Sequence, residues 1–566
     1  MGSELGITAD SKPQAVYSAV SIWWAVWAGV WTVAVALGMA FLISRRHLPI
    51  LRVRSLALSL SAIVLLHLYW LSVQFGVMIG PIMPGEAQYW LMGIWLPCGL
   101  ALFHGSNSHF LHVAKLQKKY ANYAEYQSHL RESPPDSRKN RGLIARFRRL
   151  EYSAKVVILV AISMFIQIFL TILMWLISRK WHDSWGIPGT EVHGTEMQKK
   201  VEQGRGWEWW PGVFWQVFWS WIVAPIILWN SRHIHDTQGW RAQTIGCSIA
   251  GLHATPMWLI GLFVPAMEVV NQYWIPPQWI CLSILIIEIC TIFLPCWEVM
   301  RHQSLHQETL DAIRQWELRT KGAGSDTKSM GSTATMVESM MSGWKSTNDS
   351  VLSDNSSRES ILNMSALEYV LERNPMPLQK FSALNDFSGE NVAFLTSVGE
   401  WKCSLPKVLQ DSTGSLTAND KEVIRECFNR ALYIYAEFIS VSHAEFPVNI
   451  SSQDLRKLET VFETPARILY GDEVEVDPAT PFMKHGFSEP LASPSYSDFS
   501  ESSVTAIKNR AQYMGEVPGS FNATVFEEAE QSIKYLVLTN TWPKFIKKRQ
   551  SWTESTETLR SSPEMV

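Results

Sequence analysis

Cysteine is scarce in this chain, with 7 residues among 566. Five of them lie within long apolar runs, and none belongs to a Cys-x-x-Cys pair with metal-ligand spacing. Small secreted domains that depend on disulfides carry cysteine far more densely. The sequence therefore indicates neither a disulfide framework nor a zinc site, and we expect no metal and no cofactor.

The amino terminus lacks the basic cluster that begins a secretory signal peptide. It carries Glu4 and Asp10 instead, and the apolar run that follows, residues 20–44, is longer than a signal-peptide core. We predict that this run stays in the protein as a membrane helix.

Net charge is also low, at −3, and the mean hydropathy is close to zero. These averages conceal two unlike halves. Most of the 27 Trp residues lie before residue 300, in long apolar runs, whereas the later part of the chain is rich in serine and charge. We therefore predict a membrane half, residues 1–300, followed by an aqueous half.

Seven runs in the membrane half are long enough to cross a bilayer, because a crossing helix needs about 20 apolar residues. The third run is interrupted by His104, Asn107 and Ser108, and the fifth closes on Asn230 and Arg232. Six or eight crossings remain alternatives. We predict an all-α fold with a seven-helix bundle whose runs are 20–44, 55–80, 89–114, 155–178, 212–234, 243–268 and 278–299.

Lysine and arginine are absent from two loops, near 81–88 and 269–277, but abundant in others. The first loop has four arginines between residues 45 and 54, and the second is strongly basic over 115–149. Cytoplasmic loops carry an excess of these residues. With seven crossings, we predict an amino terminus outside the cell and a cytosolic carboxyl terminus.

Ionisable residues are rare within the apolar runs, where they are costly and often functional. The histidines of this set have a structural alternative, since a histidine facing a neighbouring helix is commonly a satisfied polar group. A carboxylate in mid-span needs a partner or water in either case. The polar candidates of the membrane half are His67, His104, His253 and Glu288.

Several signatures of known membrane proteins are missing. The seventh run has no lysine for a retinal Schiff base, the third lacks the Asp/Glu-Arg-Tyr motif of rhodopsin-class receptors, and Pro295 is not part of Asn-Pro-x-x-Tyr. No matching pair of Gly/Pro-broken helices favours a transporter. The membrane half resembles heptahelical receptors in span number and orientation only.

The aqueous half divides into four segments. A juxtamembrane helix and a Ser/Thr-rich linker are predicted over 301–360, where apolar surface is too sparse for independent folding. A helical domain follows over 361–549, with apolar residues at helical spacing from Phe428 to Ile439. We expect a flexible insertion near 469–520 and a disordered tail over 550–566.

Five short blocks in this domain resemble the family of regulators of G-protein signalling (RGS). Gly389 to Leu395 is similar to the family's Glu-Asn-x-x-Phe block, Ala431 to Ile439 to Ile-Tyr-x-x-Phe, and Pro447 to Ile450 to Val-Asn-Ile/Leu. Phe526 to Ile533 and Trp542 to Ile546 resemble the last two blocks. Together with the seven-span half, the chain resembles fungal seven-transmembrane proteins with a cytoplasmic RGS domain (GprK type) and their plant counterparts.

The resemblance implies a plasma-membrane GTPase activator with no catalytic residues of its own. It would bind a Gα subunit in the GTP-bound form and raise the hydrolysis rate by stabilising the switch regions in their transition-state arrangement. The other expected partners are the lipid bilayer and an extracellular ligand that the sequence does not identify. Nucleic acid is not expected. The alternative is a G-protein-coupled receptor whose RGS-like tail is only an anchoring module.

The resemblance also implies the residues that would contact Gα. We expect Asn391 at an exposed tip with Glu390 beside it. Asn540 and Lys544 depart from the family, where Asp and Arg are frequent, and lysine lacks the bidentate geometry of arginine. The expected Gα-binding set is Glu390, Asn391, Asn449, Leu536, Asn540 and Lys544.

Overall fold

The computed structural model describes most of the chain and is helical throughout the part it describes. The described residues are 14–123, 152–322, 361–406, 418–471 and 512–549, with gaps at 53, 55 and 183, plus residues 125 and 409. Within them there is no strand, only one bridge between Ser178 and Ile187. The all-α prediction is confirmed for these residues. Most of the basic second loop, the linker and the insertion, and the whole predicted tail, lie outside them.

In the part of the chain that the structure describes, eight helices form the N-terminal bundle, apart from single turns such as Pro49–Arg52 and Gly76–Ile79. Three of them contain a π-helical turn and continue beyond it; in the helix Trp207–Ser231 this turn is Phe218–Val223. The helices are α1 (Ala19–Ser44), α2 (Leu56–Gln74), α3 (Gly85–Trp90, π-turn Leu91–Trp95, Leu96–Ala121), α4 (Tyr152–Ile177), α5 (Glu196–Gln203), α6 (Trp207–Ser231), α7 (Trp240–Phe263) and α8 (Gln278–Glu288, π-turn Ile289–Phe293, Leu294–Gly322).

Six of these helices, α1, α2, α4, α6, α7 and α8, are long and apolar enough to cross a membrane. Their outward faces carry large apolar side chains, such as Val30 on α1 and Phe165 on α4, which is 71% exposed. An α-helix satisfies its own backbone hydrogen bonds, so it can present such a face to lipid. By the length and composition of these helices, the prediction that the first half of the chain consists of membrane helices is confirmed.

The predicted third span is different, because α3 is a continuous helix but is not among the six apolar ones. It contains polar residues, and neighbouring helices pack against them. Asn107 is buried and accepts a hydrogen bond from Thr244 on α7 (3.0 Å), and the Tyr152 hydroxyl donates to the Ser108 carbonyl (3.0 Å). A crossing by α3, and with it the count of seven, stays a prediction.

The C-terminal bundle is a second helical unit built around aromatic side chains. The predicted amphipathic helix is confirmed, since Phe428, Leu432, Tyr435 and Ile439 are all buried in its core. The helices are α9 (Met364–Arg373), α10 (Met376–Phe381, π-turn Ser382–Asp386), α11 (Gly389–Cys403), α12 (Ala418–Phe438), α13 (Ser452–Tyr470) and α14 (Glu527–Leu536, π-turn Val537–Thr541, then 542–549).

The two bundles share a core. Tyr120 and Tyr123, at the end of α3, belong to the same apolar cluster as the C-terminal bundle, and the Tyr123 ring lies 5.4 Å from that of Phe438. Lys119 adds ion pairs to Glu437 (3.4 Å) and Glu445. The end of α3 is therefore part of the packing of both bundles.

Candidate functional site

The block that resembles Glu-Asn-x-x-Phe begins at a tight turn between α10 and α11. Phe387 has φ 51°, a left-handed conformation that is uncommon outside glycine and that reverses the chain here. Ser382 closes the turn by donating its hydroxyl to the Ser388 carbonyl (2.7 Å). The turn delivers Glu390 and Asn391 to the first turn of α11, next to the end of α3.

The end of α3 holds this turn through Gln117, which is fully buried. The Gly389 N–H donates to Gln117 Oε1 (3.0 Å), and Gln117 Nε2 donates to Glu390 Oε2 (2.9 Å). A side chain at Gly389 would place its Cβ 2.7 Å from the Cβ of Tyr120, so glycine permits this close approach. We call the whole contact surface between the two bundles, which includes this contact between α3 and the start of α11, the seam.

Asn391 does not stand at an exposed tip, and that expectation is wrong for this arrangement. Its side chain is buried, with 6% of its surface exposed. Nδ2 donates to Glu390 Oε1 (3.3 Å), whereas Oδ1 has no hydrogen-bond partner among the described residues. The end of α3 packs against the first turn of α11, which holds Asn391, through the bonds of Gln117 to Gly389 and Glu390.

Asp386 organises the second part of the seam and was not singled out from the sequence. Its buried carboxylate accepts hydrogen bonds from Thr237 (2.9 Å), Lys544 (2.8 Å) and Thr541 (2.8 Å). Bonds to an ionised group are stronger than bonds between neutral ones. Asp386 thus joins the loop before α7 to α14, the late helix of the C-terminal bundle, and only the fold brings these partners together.

The late helix also contacts the N-terminal bundle. Asn540 Oδ1 accepts a hydrogen bond from Lys544 (2.7 Å) and lies 2.8 Å from His302 Nε2 on the continuation of α8. Leu536 is half-buried against the C-terminal core, and Asn449 is exposed on the turn after α12. Four of the six expected Gα-binding residues therefore lie along the seam: Glu390, Asn391, Asn540 and Lys544.

The polar candidates of the N-terminal bundle divide into one pair and two separate residues. His67 Nδ1 lies 2.8 Å from Glu288 Oε1, and Trp31 donates to Glu288 Oε2 (2.5 Å). Glu288 is fully buried, and these contacts connect α1, α2 and α8. The partner that a mid-span carboxylate requires is present, which favours a structural role for this pair.

His104 and His253 lie away from this pair. The His104 ring stacks on Trp219 at 5.4 Å, while its Nδ1 has no hydrogen-bond partner among the described residues. His253 is half-buried, and its Nε2 is likewise unpartnered in that part of the chain. Across the described ranges, no group of three His, Cys, Asp or Glu side chains is arranged to hold a metal ion.

Comparisons with protein families, with curated proteins and with solved structures find no match for this chain. The features that bear on its function are the five short blocks and the geometry of the seam.

Proposed function

We propose that this chain is a membrane-anchored regulator of heterotrimeric G-protein signalling whose C-terminal bundle accelerates GTP hydrolysis by a Gα subunit. In this proposal it resides in the plasma membrane, with its amino terminus outside and its C-terminal bundle in the cytosol. The observation that carries the proposal is the grouping of Glu390 and Asn391 with Asn540 and Lys544 along one edge of the bundle. These residues come from two distant sequence blocks, which are joined where the Ser388 hydroxyl lies 3.3 Å from that of Thr541.

The chemistry fits an activator that does not itself react. Phosphoryl transfer is catalysed mainly by positioning and by charge stabilisation, so a partner that holds the switch loops in their transition-state form raises the rate. The amide of Asn391 can both donate and accept a hydrogen bond. Glu390 supplies a negative charge at the start of α11, and Lys544 supplies a positive charge that pairs with Asp386 (2.8 Å).

The same edge is engaged by the N-terminal bundle, and this bears on how the activator works. Gln117 binds Glu390, and His302 binds Asn540. A Gα subunit that uses these residues has to displace the end of α3 and the continuation of α8. We therefore propose that the arrangement described here is a closed state, in which the C-terminal bundle is docked and its activity is low.

The second candidate is a receptor whose C-terminal bundle is an anchoring module without GTPase-activating function. The buried contacts of Gln117 and Asp386 favour it, because they give the seam residues a structural role that requires no Gα. Both candidates share the docked arrangement. They differ in what the released domain does.

Single-turnover GTP hydrolysis by Gα separates the two candidates. Residues 361–549, checked for folding by circular dichroism and melting, are expected to accelerate hydrolysis. Asn391→Ala should lower that acceleration by about tenfold to a hundredfold, because one or two hydrogen bonds to Gα are lost. The control is Gln453→Ala, which removes an exposed amide on α13. A folded domain that leaves the rate unchanged, with every Gα tested, would support the anchoring module.

A further inference from the structure

A cavity lies at the end of the N-terminal bundle opposite the C-terminal domain. Three stretches that the sequence predicts on the outer side converge on it: the loop from Gly76 to Gly85, helix α5 and the turn 275–277. The cavity holds about 1040 Å³ of empty space, counting its open mouth. The cavity volume without the open mouth is about 130 Å³. A single water molecule needs about 10–15 Å³ of such volume, so the cavity has room for an organic ligand.

The wall of the cavity is mainly apolar. Val73, Leu91, Met92, Met197 and Ile275 contribute side chains from four different segments. Such a lining favours a ligand with a substantial apolar part, because burying that part releases it from water.

Lys200 is the one charged side chain among the described residues that line the cavity. Its ammonium group donates to the Pro81 carbonyl, and no described carboxylate lies within ion-pair distance of it. Burial lowers the pKa of Lys200, and Glu196, one turn earlier on α5, opposes this shift. An anionic group on a ligand would supply the counter-ion that the protein does not.

Tyr69 provides a second polar group at greater depth. Its side chain is fully buried on α2, and its hydroxyl has no hydrogen-bond partner among the described residues. A buried hydroxyl without a partner is costly, and an oxygen atom of a bound ligand removes that cost. Tyr69 and Lys200 both line the cavity, and Tyr69 is fully buried whereas Lys200 is partly exposed, so the Tyr69 side chain lies on the interior part of the wall.

We propose that this cavity binds an elongated apolar molecule that carries a carboxylate at one end and a hydroxyl or carbonyl oxygen on its chain. Lys200 pairs with the carboxylate near the mouth. Tyr69 donates to the second oxygen in the interior. The proposal depends on these two residues and the cavity, and it holds whether or not the C-terminal bundle acts on Gα.

The test is equilibrium binding of tritiated 10-hydroxydecanoate to the full chain in phosphatidylcholine nanodiscs, with empty nanodiscs subtracted to remove partitioning into lipid. We expect saturable binding that Lys200→Gln weakens by about tenfold, the loss of one partly buried ion pair. The matched control is Lys199→Gln, the preceding lysine on α5, whose ammonium lies 3.5 Å from Glu196. This control should bind as the wild type does.

A second variant and two further ligands separate the two contacts. Tyr69→Phe should weaken 10-hydroxydecanoate by about threefold to tenfold, the effect of one hydrogen bond, but leave decanoate unchanged. Decanol, which lacks the carboxylate, should compete poorly. Unchanged melting temperatures would show that the variants are folded. The proposal is overturned if binding is not saturable, if folded Lys200→Gln binds like the wild type, or if decanol competes as well as the acid.

Discussion

Opening the seam by the substitution Gln117→Ala is the most direct perturbation of the proposed closed state. Gln117 lies at the end of α3, is fully buried and makes two hydrogen bonds across the seam, to the Gly389 N–H and the Glu390 carboxylate. Alanine is a good helix former, so α3 itself should persist. The substitution therefore removes docking contacts and leaves both bundles intact.

The size of the effect follows from those two bonds. A buried polar group that loses its partner costs about 1–3 kcal/mol, and more when the group is charged. Two such losses weaken the docked arrangement by about 2–4 kcal/mol, after allowance for the other contacts of Glu390. When the C-terminal bundle undocks, the Gly389 N–H and the Glu390 carboxylate are hydrated again. The docking equilibrium should shift toward the open state by about 30-fold to 700-fold.

Single-turnover GTP hydrolysis by Gα measures this shift in the full chain held in nanodiscs. We expect the wild-type chain to be a weak activator and Gln117→Ala to approach the rate of the isolated domain. Lys118→Ala is the matched control, since the neighbouring side chain is exposed and should leave the rate unchanged. Hydrogen exchange at the Gly389 amide gives a second measurement that does not depend on Gα, and it should become faster in Gln117→Ala.

Two results would refute different parts of the reasoning. If the isolated domain is active and Gln117→Ala stays as inactive as the wild type, docking does not limit activity. If exchange at Gly389 is as fast in the wild type as in the variant, the seam is not closed in the membrane. An inactive domain with a slowly exchanging seam would instead favour the anchoring module.

Three further predictions concern the core, the charges and the topology. Phe438→Ala should destabilise the C-terminal bundle by about 3–5 kcal/mol, because the buried ring leaves a cavity; thermal melting measures this, with exposed Val441→Ala as control. The hydrogen bond from Lys402 (2.6 Å) holds the pKa of Glu527 below its ordinary value of 4.5. The stability that this ionised Glu527 contributes is present above pH 4.5 and is lost as the pH falls through its lower, folded-state pKa. With Lys402→Gln, the melting temperature should therefore fall less steeply as the pH is lowered. The Asn-x-Ser/Thr sequons at Asn348, Asn355, Asn363, Asn449 and Asn522 should carry no sugar, because cytosolic sequons are not modified. Glycosidase treatment should therefore leave the mass of the chain unchanged. A mass shift would contradict the predicted orientation.

Local patterns in the sequence were sufficient for the helices themselves. Six apolar runs and the spacing from Phe428 to Ile439 predicted elements that the structure contains, because length, hydropathy and period act between near neighbours in the chain. The same criteria are weak for α3. Its polar residues Asn107 and Ser108 are covered by other helices, and hydropathy alone does not register that cover.

Only the tertiary structure decided which of the candidate residues meet. The pairing of His67 with Glu288 joins residues 221 positions apart, and the bond from Gln117 to Glu390 spans 273 positions. The sequence by itself placed Asn391 in a recognisable block and led to the expectation of an exposed tip, whereas the structure buries this residue in the first turn of α11. Whether a side chain is exposed depends on what packs over it, and at Glu390 the contacting residue, Gln117, comes from the other bundle.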